Sequence, residues 1–128
     1  MSAAGEHPAV LRVRQYFAAY LRSDSPVYAD QWIYPAALWA DGTWSVTADR
    51  ATMARNNEAY ELAQRERGMT DGQVLELRCE PLSDSAALVH GRFDSRRADG
   101  SVIAVTETIY TVVRSGSDWK IAVCIVKR

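Results

Sequence analysis

From Ser85 to Arg128 apolar and polar residues alternate with a period of two, broken twice by turn-forming residues, which predicts three long antiparallel strands. The first break is Asp99-Gly100, the strongest short-range hairpin signal, because the favoured tight turn needs positive φ at both central positions. A two-residue turn there sets Ala98 opposite Ser101. Counting back, it pairs Phe93 with Thr106, Gly91 with Thr108, Val89 with Tyr110 and Ala87 with Val112. Those residues share one face, apolar with hydroxyls. The other face carries Leu88, His90, Arg92 and Asp94 against Ile103, Val105, Glu107 and Ile109, with Arg92 directly across from Glu107. Through the second turn, Ser115 to Asp118, Arg114 is expected opposite Trp119. That register sends Trp119, Ile121, Val123 and Ile125 to the Tyr110 face, and Lys120, Ala122, Cys124 and Val126 to the Glu107 face.

Upstream the period changes. Apolar residues at 10, 13, 17, 20 and 21 form a helical stripe from Val10 to Leu21, with Tyr16 and Tyr20 on its edge. Ser25-Pro26 reads as a cap and a first-turn proline, so a second helix is expected from Pro26 to about Tyr34, ended by Pro35. Asp41-Gly42 then predicts a small hairpin over Leu38 to Val46, with Trp39 and Trp44 as a cross-strand pair. Asp49 caps a third helix running to about Arg67 and stopped by Gly68. Its inner stripe, Met53, Asn56, Asn57, Tyr60 and Ala63, is polar for a face that meets a core. Gln73 to Glu80 alternates as a half-exposed strand, and Pro81 to Asp84 is expected to turn into the terminal sheet.

At 128 residues the chain is expected to form one domain with a core of its own. A composition of 48% hydrophobic and 24% charged residues with net charge -1 gives no electrostatic reason to expect nucleic acid or an anionic membrane as partner. The N-terminal residues carry no secretory pattern and no apolar run reaches the length of a membrane span, so a cytoplasmic location is expected. Cys79 and Cys124 are read as reduced thiols on opposite faces of the sheet. With His7 in a tail, His90 and two separated cysteines offer no metal-ligand spacing, and no cofactor motif is present.

Three helices, a small hairpin and long antiparallel strands closing on Gly116, Trp119, Lys120 and Ile121, with Tyr34-Pro35 ahead of the hairpin, resemble the nuclear transport factor 2-like superfamily. Within it they resemble the SnoaL-like, polyketide-cyclase-like branch, over about Ala9 to Val126. The resemblance implies an α+β cone with a cystatin-like roll, in which a curved antiparallel sheet wraps around three N-terminal helices and encloses an apolar pocket. It also implies a homodimer. Its members include ketosteroid isomerases, epoxide hydrolases, dehydratases, cyclases and non-enzymatic carriers, so the fold does not choose the function.

Two constellations could carry chemistry. His90, Arg92, Asp94 and Glu107 lie on adjacent strands. An arginine between carboxylates resembles the arrangement with which epoxide hydrolases of this superfamily activate water, whereas an outer-face ion pair is the bland reading and the favoured one. The second set is Tyr16, Tyr20, Trp32, Tyr34, Asn56, Tyr60, Thr108 and Tyr110, hydroxyls and an amide converging on an otherwise apolar wall. Ketosteroid isomerases as a family use a carboxylate base facing a tyrosine and a protonated acid. Asp41 lies in roughly the corresponding region but at a hairpin tip, Asp30 has no identifiable partner, and the acid pair is not visible.

The sequence therefore points to a pocket for a small, largely apolar, oxygenated molecule, compatible with acid–base chemistry of the isomerase, cyclase or hydratase type. The alternative is a non-enzymatic dimeric carrier or assembly scaffold. The hydroxyl and aromatic set is taken as the ligand pocket; the catalytic residues stay open, with His90, Arg92 and Glu107 as the alternative candidates. Ile103, Val105, Ile109, Val113, Ala122, Cys124 and Val126 predict an apolar outer face for dimerisation.

Overall fold

The computed structural model describes residues 6–127. Helix α1 (Pro8–Leu21) buries Ala9, Val10, Val13 and Phe17 along the stripe read from the sequence. It starts at His7, whose Nδ1 accepts from the Ala9 amide at 3.0 Å and whose ring packs edge-on against Trp119 at 5.0 Å. His7 is thus a helix cap and not part of a tail.

Helix α2 (Ser25–Asp30) is shorter than expected. Its cap is Asp24, which accepts from the Val27 amide at 3.3 Å, and Gln31 closes it by donating from Nε2 to the Val27 carbonyl at 2.7 Å. Trp32, Ile33 and Tyr34 leave the helix because they are β-preferring and a partner strand is within reach. They open β1 (Trp32–Ala40), in which Pro35 follows a cis peptide and ends nothing. The hairpin to β2 (Thr43–Thr47) turns at Asp41-Gly42 with positive φ at both residues and pairs Trp39 with Trp44, as the sequence predicts. Helix α3 (Arg50–Glu66) is capped by Asp49, which accepts from the Thr52 amide at 2.8 Å, and Gly68 beyond its end takes φ +93°.

The remaining strands are β3 (Met69–Ser83), β4 (Ala86–Arg97), β5 (Val102–Ser115) and β6 (Asp118–Lys127); Arg128, the last residue of the predicted strand, lies outside the described residues. They form a six-stranded sheet in the order β2-β1-β6-β5-β4-β3. The sheet is mixed, not wholly antiparallel, because β1 lies parallel to β6. β3 runs through Pro81, which an edge strand tolerates because its missing amide hydrogen costs no ladder bond on the open side.

The β4–β5 register agrees with the sequence reading from Ala87↔Val112 to Ser95↔Ala104, Arg92↔Glu107 included. The turn itself differs. It closes between the Arg97 amide and the Ser101 carbonyl, with Gly100 at φ +87°, and Ile103 bulges to restore the count. On β6, Arg114 does pair with Trp119 and Ile121 is fully buried, but Ala122 is an extra residue between Ile121↔Val112 and Val123↔Thr111. Beyond it the faces are the reverse of those expected. Cys124 opposite Tyr110 and Val126 opposite Thr108 point inward, and Val123 and Ile125 point outward. Cys79, opposite Val89, also packs on the core, so the two free thiols share a face. Leu75 is a bulge residue on β3, which leaves it exposed while Leu77 and Cys79 face in.

The helices cover the inner face of the sheet. The core joins α1 through Val13 and Phe17 to Val89, Phe93, Val112 and Ile121. No helix among the described residues is long and apolar enough to cross a membrane.

Candidate functional site

Between the helices and the inner face lies a cavity of about 410 Å³, within the ordinary size for a small-molecule site. Each layer supplies part of it. Helix α1 turns Tyr16 and Tyr20 inward at four-residue spacing, which puts them on one side of the helix, with Phe17 beside them. Tyr28 enters from α2, and Trp32, Ala36, Leu38 and Ala40 alternate inward along β1. Strands β4, β5 and β6 provide the floor, where Phe93, Thr108, Tyr110 and Cys124 are all nearly inaccessible to solvent. Small residues at 36, 37 and 40 are what leave the space open.

At the closed end three tyrosines meet. The Tyr16 ring lies 4.9 Å from Tyr28 and 5.3 Å from Tyr110. Burial pushes all three phenols well above their ordinary value, so they are neutral hydrogen-bonding groups. The hydroxyls interact with one another, Tyr16 with both Tyr28 and Tyr110, and Thr108 with Tyr110. Burial also pushes the Cys124 thiol up to about 12, which makes it a wall atom and not a nucleophile. The Trp32 indole N–H is buried there without a hydrogen-bond partner.

Toward the opening the wall becomes polar. Asp41, Ser45 and Thr47 come from the β1–β2 hairpin, and Asn56, Tyr60 and Gln64 from α3. Asn57 is buried just inside, with its Nδ2 donating to Ser25 Oγ at 3.0 Å and to Glu61 Oε1 at 2.7 Å. Asp94 also lies on the wall, contrary to its expected outer position. Its carboxylate accepts from the Gln73 amide at 3.0 Å and is paired with Arg96 at 2.8 Å.

Of the residues singled out from the sequence, Tyr16, Tyr20, Trp32, Asn56, Tyr60, Thr108 and Tyr110 line this cavity. Tyr34 does not. Its hydroxyl donates to the Ala29 carbonyl at 2.6 Å, because the irregular stretch of β1 between Trp32 and Ala37 turns it back against α2. Sequence reasoning missed Tyr28, which a six-residue helix gives too short a period to place, and Cys124, which the Ala122 bulge moved inside.

The other constellation stands on the outer face. Arg92 Nε is 3.8 Å from Glu107 Oε2, Lys127 Nζ is 3.4 Å from Oε1 of the same carboxylate, and His90 Nε2 is 3.3 Å from Glu80. Arg92 and Glu107 side chains are half exposed, and neither residue touches the cavity. Asp30 is held by Arg50 on the surface. Among the described residues no three His, Cys, Asp or Glu side chains converge to hold a metal ion.

Residues 10–128 match the family model described as NTF2-like protein (DUF6841). No curated protein matches the chain. Among solved structures, a ketosteroid isomerase-like protein from Erwinia carotovora atroseptica shares the fold with TM-score 0.68 and 19% identity, covering 95% of each chain. An NTF2-like protein with a cystatin-like fold from Novosphingobium aromaticivorans has TM-score 0.74 and 12% identity over 93% of this chain and 78% of its own. A domain of unknown function with a cystatin-like fold from Nostoc punctiforme has TM-score 0.74 and 18% identity over 100% of this chain and 79% of its own. At these identities the likeness is one of fold. The α+β architecture, the order of elements and the match over nearly the whole chain agree, and the chain belongs to the family of NTF2-like proteins (DUF6841).

Proposed function

We propose that the protein binds a small, largely apolar molecule with its oxygen seated at the tyrosine cluster. One observation carries this reading. Tyr110 presents a neutral, buried phenol hydroxyl to the cavity beside Tyr16 and Thr108, a group able to donate to a ligand oxygen. A carbonyl, ether or hydroxyl oxygen of a ligand is the acceptor that matches it, and the apolar walls match the rest of the molecule.

The same geometry supports polarisation of a ligand oxygen, the half of an acid–base reaction that a neutral donor performs. The base is the weaker half: Asp94 is tied to Arg96, and Asp41 sits at a turn with φ +53°. Binding is therefore the primary reading and turnover of an isomerase, cyclase or hydratase type the secondary one. Free thiols fit a reducing, cytoplasmic setting. Native mass spectrometry of the purified protein, before and after addition of 2-naphthol, tests the binding reading. A stoichiometric adduct is expected, and a protein that stays bare at millimolar naphthol would refute it.

A further inference from the structure

We propose that the ligand oxygen is a carbonyl, and that the Trp32 indole N–H is a donor to it. This rests on the reading of the cavity as the binding site and adds the chemical class of its occupant.

The observation that carries it is a buried donor with nothing to donate to. Trp32 is 6% exposed and lines the cavity, and its Nε1 hydrogen meets no acceptor, alone among the buried side-chain nitrogen and oxygen atoms of the described residues. A donor shut away from water without an acceptor is costly, and native interiors avoid it. The indole is anchored, because Trp32 opens β1 and pairs there with Ile121 of β6. The rings against it, Tyr16 edge-on at 5.8 Å and Tyr28 at 6.3 Å, are side chains of the cavity wall, so a ligand reaches the nitrogen by shifting side chains and not backbone.

The hydrogens and lone pairs at this end select the ligand group. Tyr16, Tyr28, Tyr110 and Thr108 are hydroxyls, each with a hydrogen to give and lone pairs to receive one, so they can satisfy one another. An indole only gives, and no hydroxyl of the cluster takes its hydrogen. What the cluster lacks is therefore an acceptor. A carbonyl supplies one and brings no hydrogen of its own. An alcohol supplies one too but brings a hydrogen that must be placed in turn, and a hydrocarbon supplies none. An aryl ketone meets this need and matches the apolar walls formed by Phe17, Ala36 and Phe93.

The experiment uses three probes of one skeleton: 2-acetylnaphthalene, its reduced alcohol, and 2-isopropenylnaphthalene, in which a methylene replaces the carbonyl oxygen. Each is titrated into isotope-labelled protein while the four indole N–H signals are followed by proton–nitrogen NMR. Trp32→Phe identifies the Trp32 signal by its loss; if that variant does not fold, Trp39→Phe, Trp44→Phe and Trp119→Phe identify it by elimination. The ketone is expected to move the Trp32 signal downfield and to bind about threefold to tenfold more tightly than the hydrocarbon, one hydrogen bond's worth, with the alcohol between them. The hydrocarbon should bind without moving that signal downfield. A ketone that binds without a downfield move of Trp32, or no more tightly than the alcohol or the hydrocarbon, would overturn the inference while leaving the cavity reading intact. If none of the three binds, the cavity reading falls and the inference with it.

Discussion

Cys124 stands opposite Tyr110 across β5 and β6, and both face the cavity. The relation depends on one extra residue, Ala122, which reverses the alternation of the last strand. At pH 8 iodoacetamide should therefore modify Cys79 at least tenfold faster than Cys124, since Cys79 is partly exposed while Cys124 is 5% exposed with its thiol pushed up to about 12. Mass spectrometry of peptides over time reads the two rates. Equal rates in the folded protein would place Cys124 outside.

Gly91 leaves room for the Phe93 ring of the cavity wall. A Cβ there would lie 2.6 Å from Phe93 Cε2, and Phe93 is itself stacked on Phe17 at 4.6 Å. Gly91→Ala must push the ring aside, so urea unfolding should show a loss of about 1–3 kcal/mol, the usual cost of overpacking. 2-Naphthol should also bind more weakly. An alanine variant as stable as the parent would mean that Phe93 moves freely.

Glu61 is nearly buried on α3, and burial raises its carboxyl above the ordinary 4.5, against the hydrogen bond from Asn57 that lowers it. A raised folded pKa means that the native state holds the proton more tightly than the unfolded one. The contribution is therefore complete below pH 4.5 and is lost as pH rises through the raised value. Glu61→Gln removes the titration while keeping an acceptor for Asn57. Thermal midpoints from pH 4 to 8 should show the variant gaining on the parent as pH rises; a gap that narrows would contradict the sign.

The outer face carries a row of partners across four strands, Trp44, Trp39, Ile125 and Ile109, in place of the expected Cys124 and Val126. Beside it lie Arg92, Lys127 and Glu107, charges of both signs that a two-fold axis can match to themselves. We expect a second copy of the chain to cover this face. Sedimentation equilibrium at micromolar concentration should give a dimer, and Ile109→Lys a monomer. A parent protein that sediments as a monomer would refute the interface.

Much of this was legible in the sequence, for definable reasons. The β4–β5 ladder follows from alternation plus Asp99-Gly100, and it survived a wrong turn length because Ile103 restores the count. The helix caps at Asp49 and the Trp39–Trp44 pair are local signals of the same kind. Non-local features were hidden. The parallel pairing of β1 with β6 joins segments about 85 residues apart, and nothing within Trp32 to Tyr34 announces it. Single-residue bulges at Ala122 and Leu75 leave the composition of a strand unchanged while moving side chains to the other face. The tyrosine cluster was readable as a set, because hydroxyls recurred on inward positions; the entry of Tyr28 from the short helix α2 was not.

The most direct measurement is a titration of 2-naphthol and naphthalene into the parent protein and Tyr110→Phe, with Glu107→Gln as the control on the outer face. Tyr110→Phe should weaken naphthol by about 0.5–1.5 kcal/mol, one hydrogen bond's worth, and leave naphthalene unchanged. Glu107→Gln should bind both as the parent does. Loss of naphthol binding in Glu107→Gln with Tyr110→Phe unaffected would contradict the assignment and move the site to His90, Arg92 and Glu107.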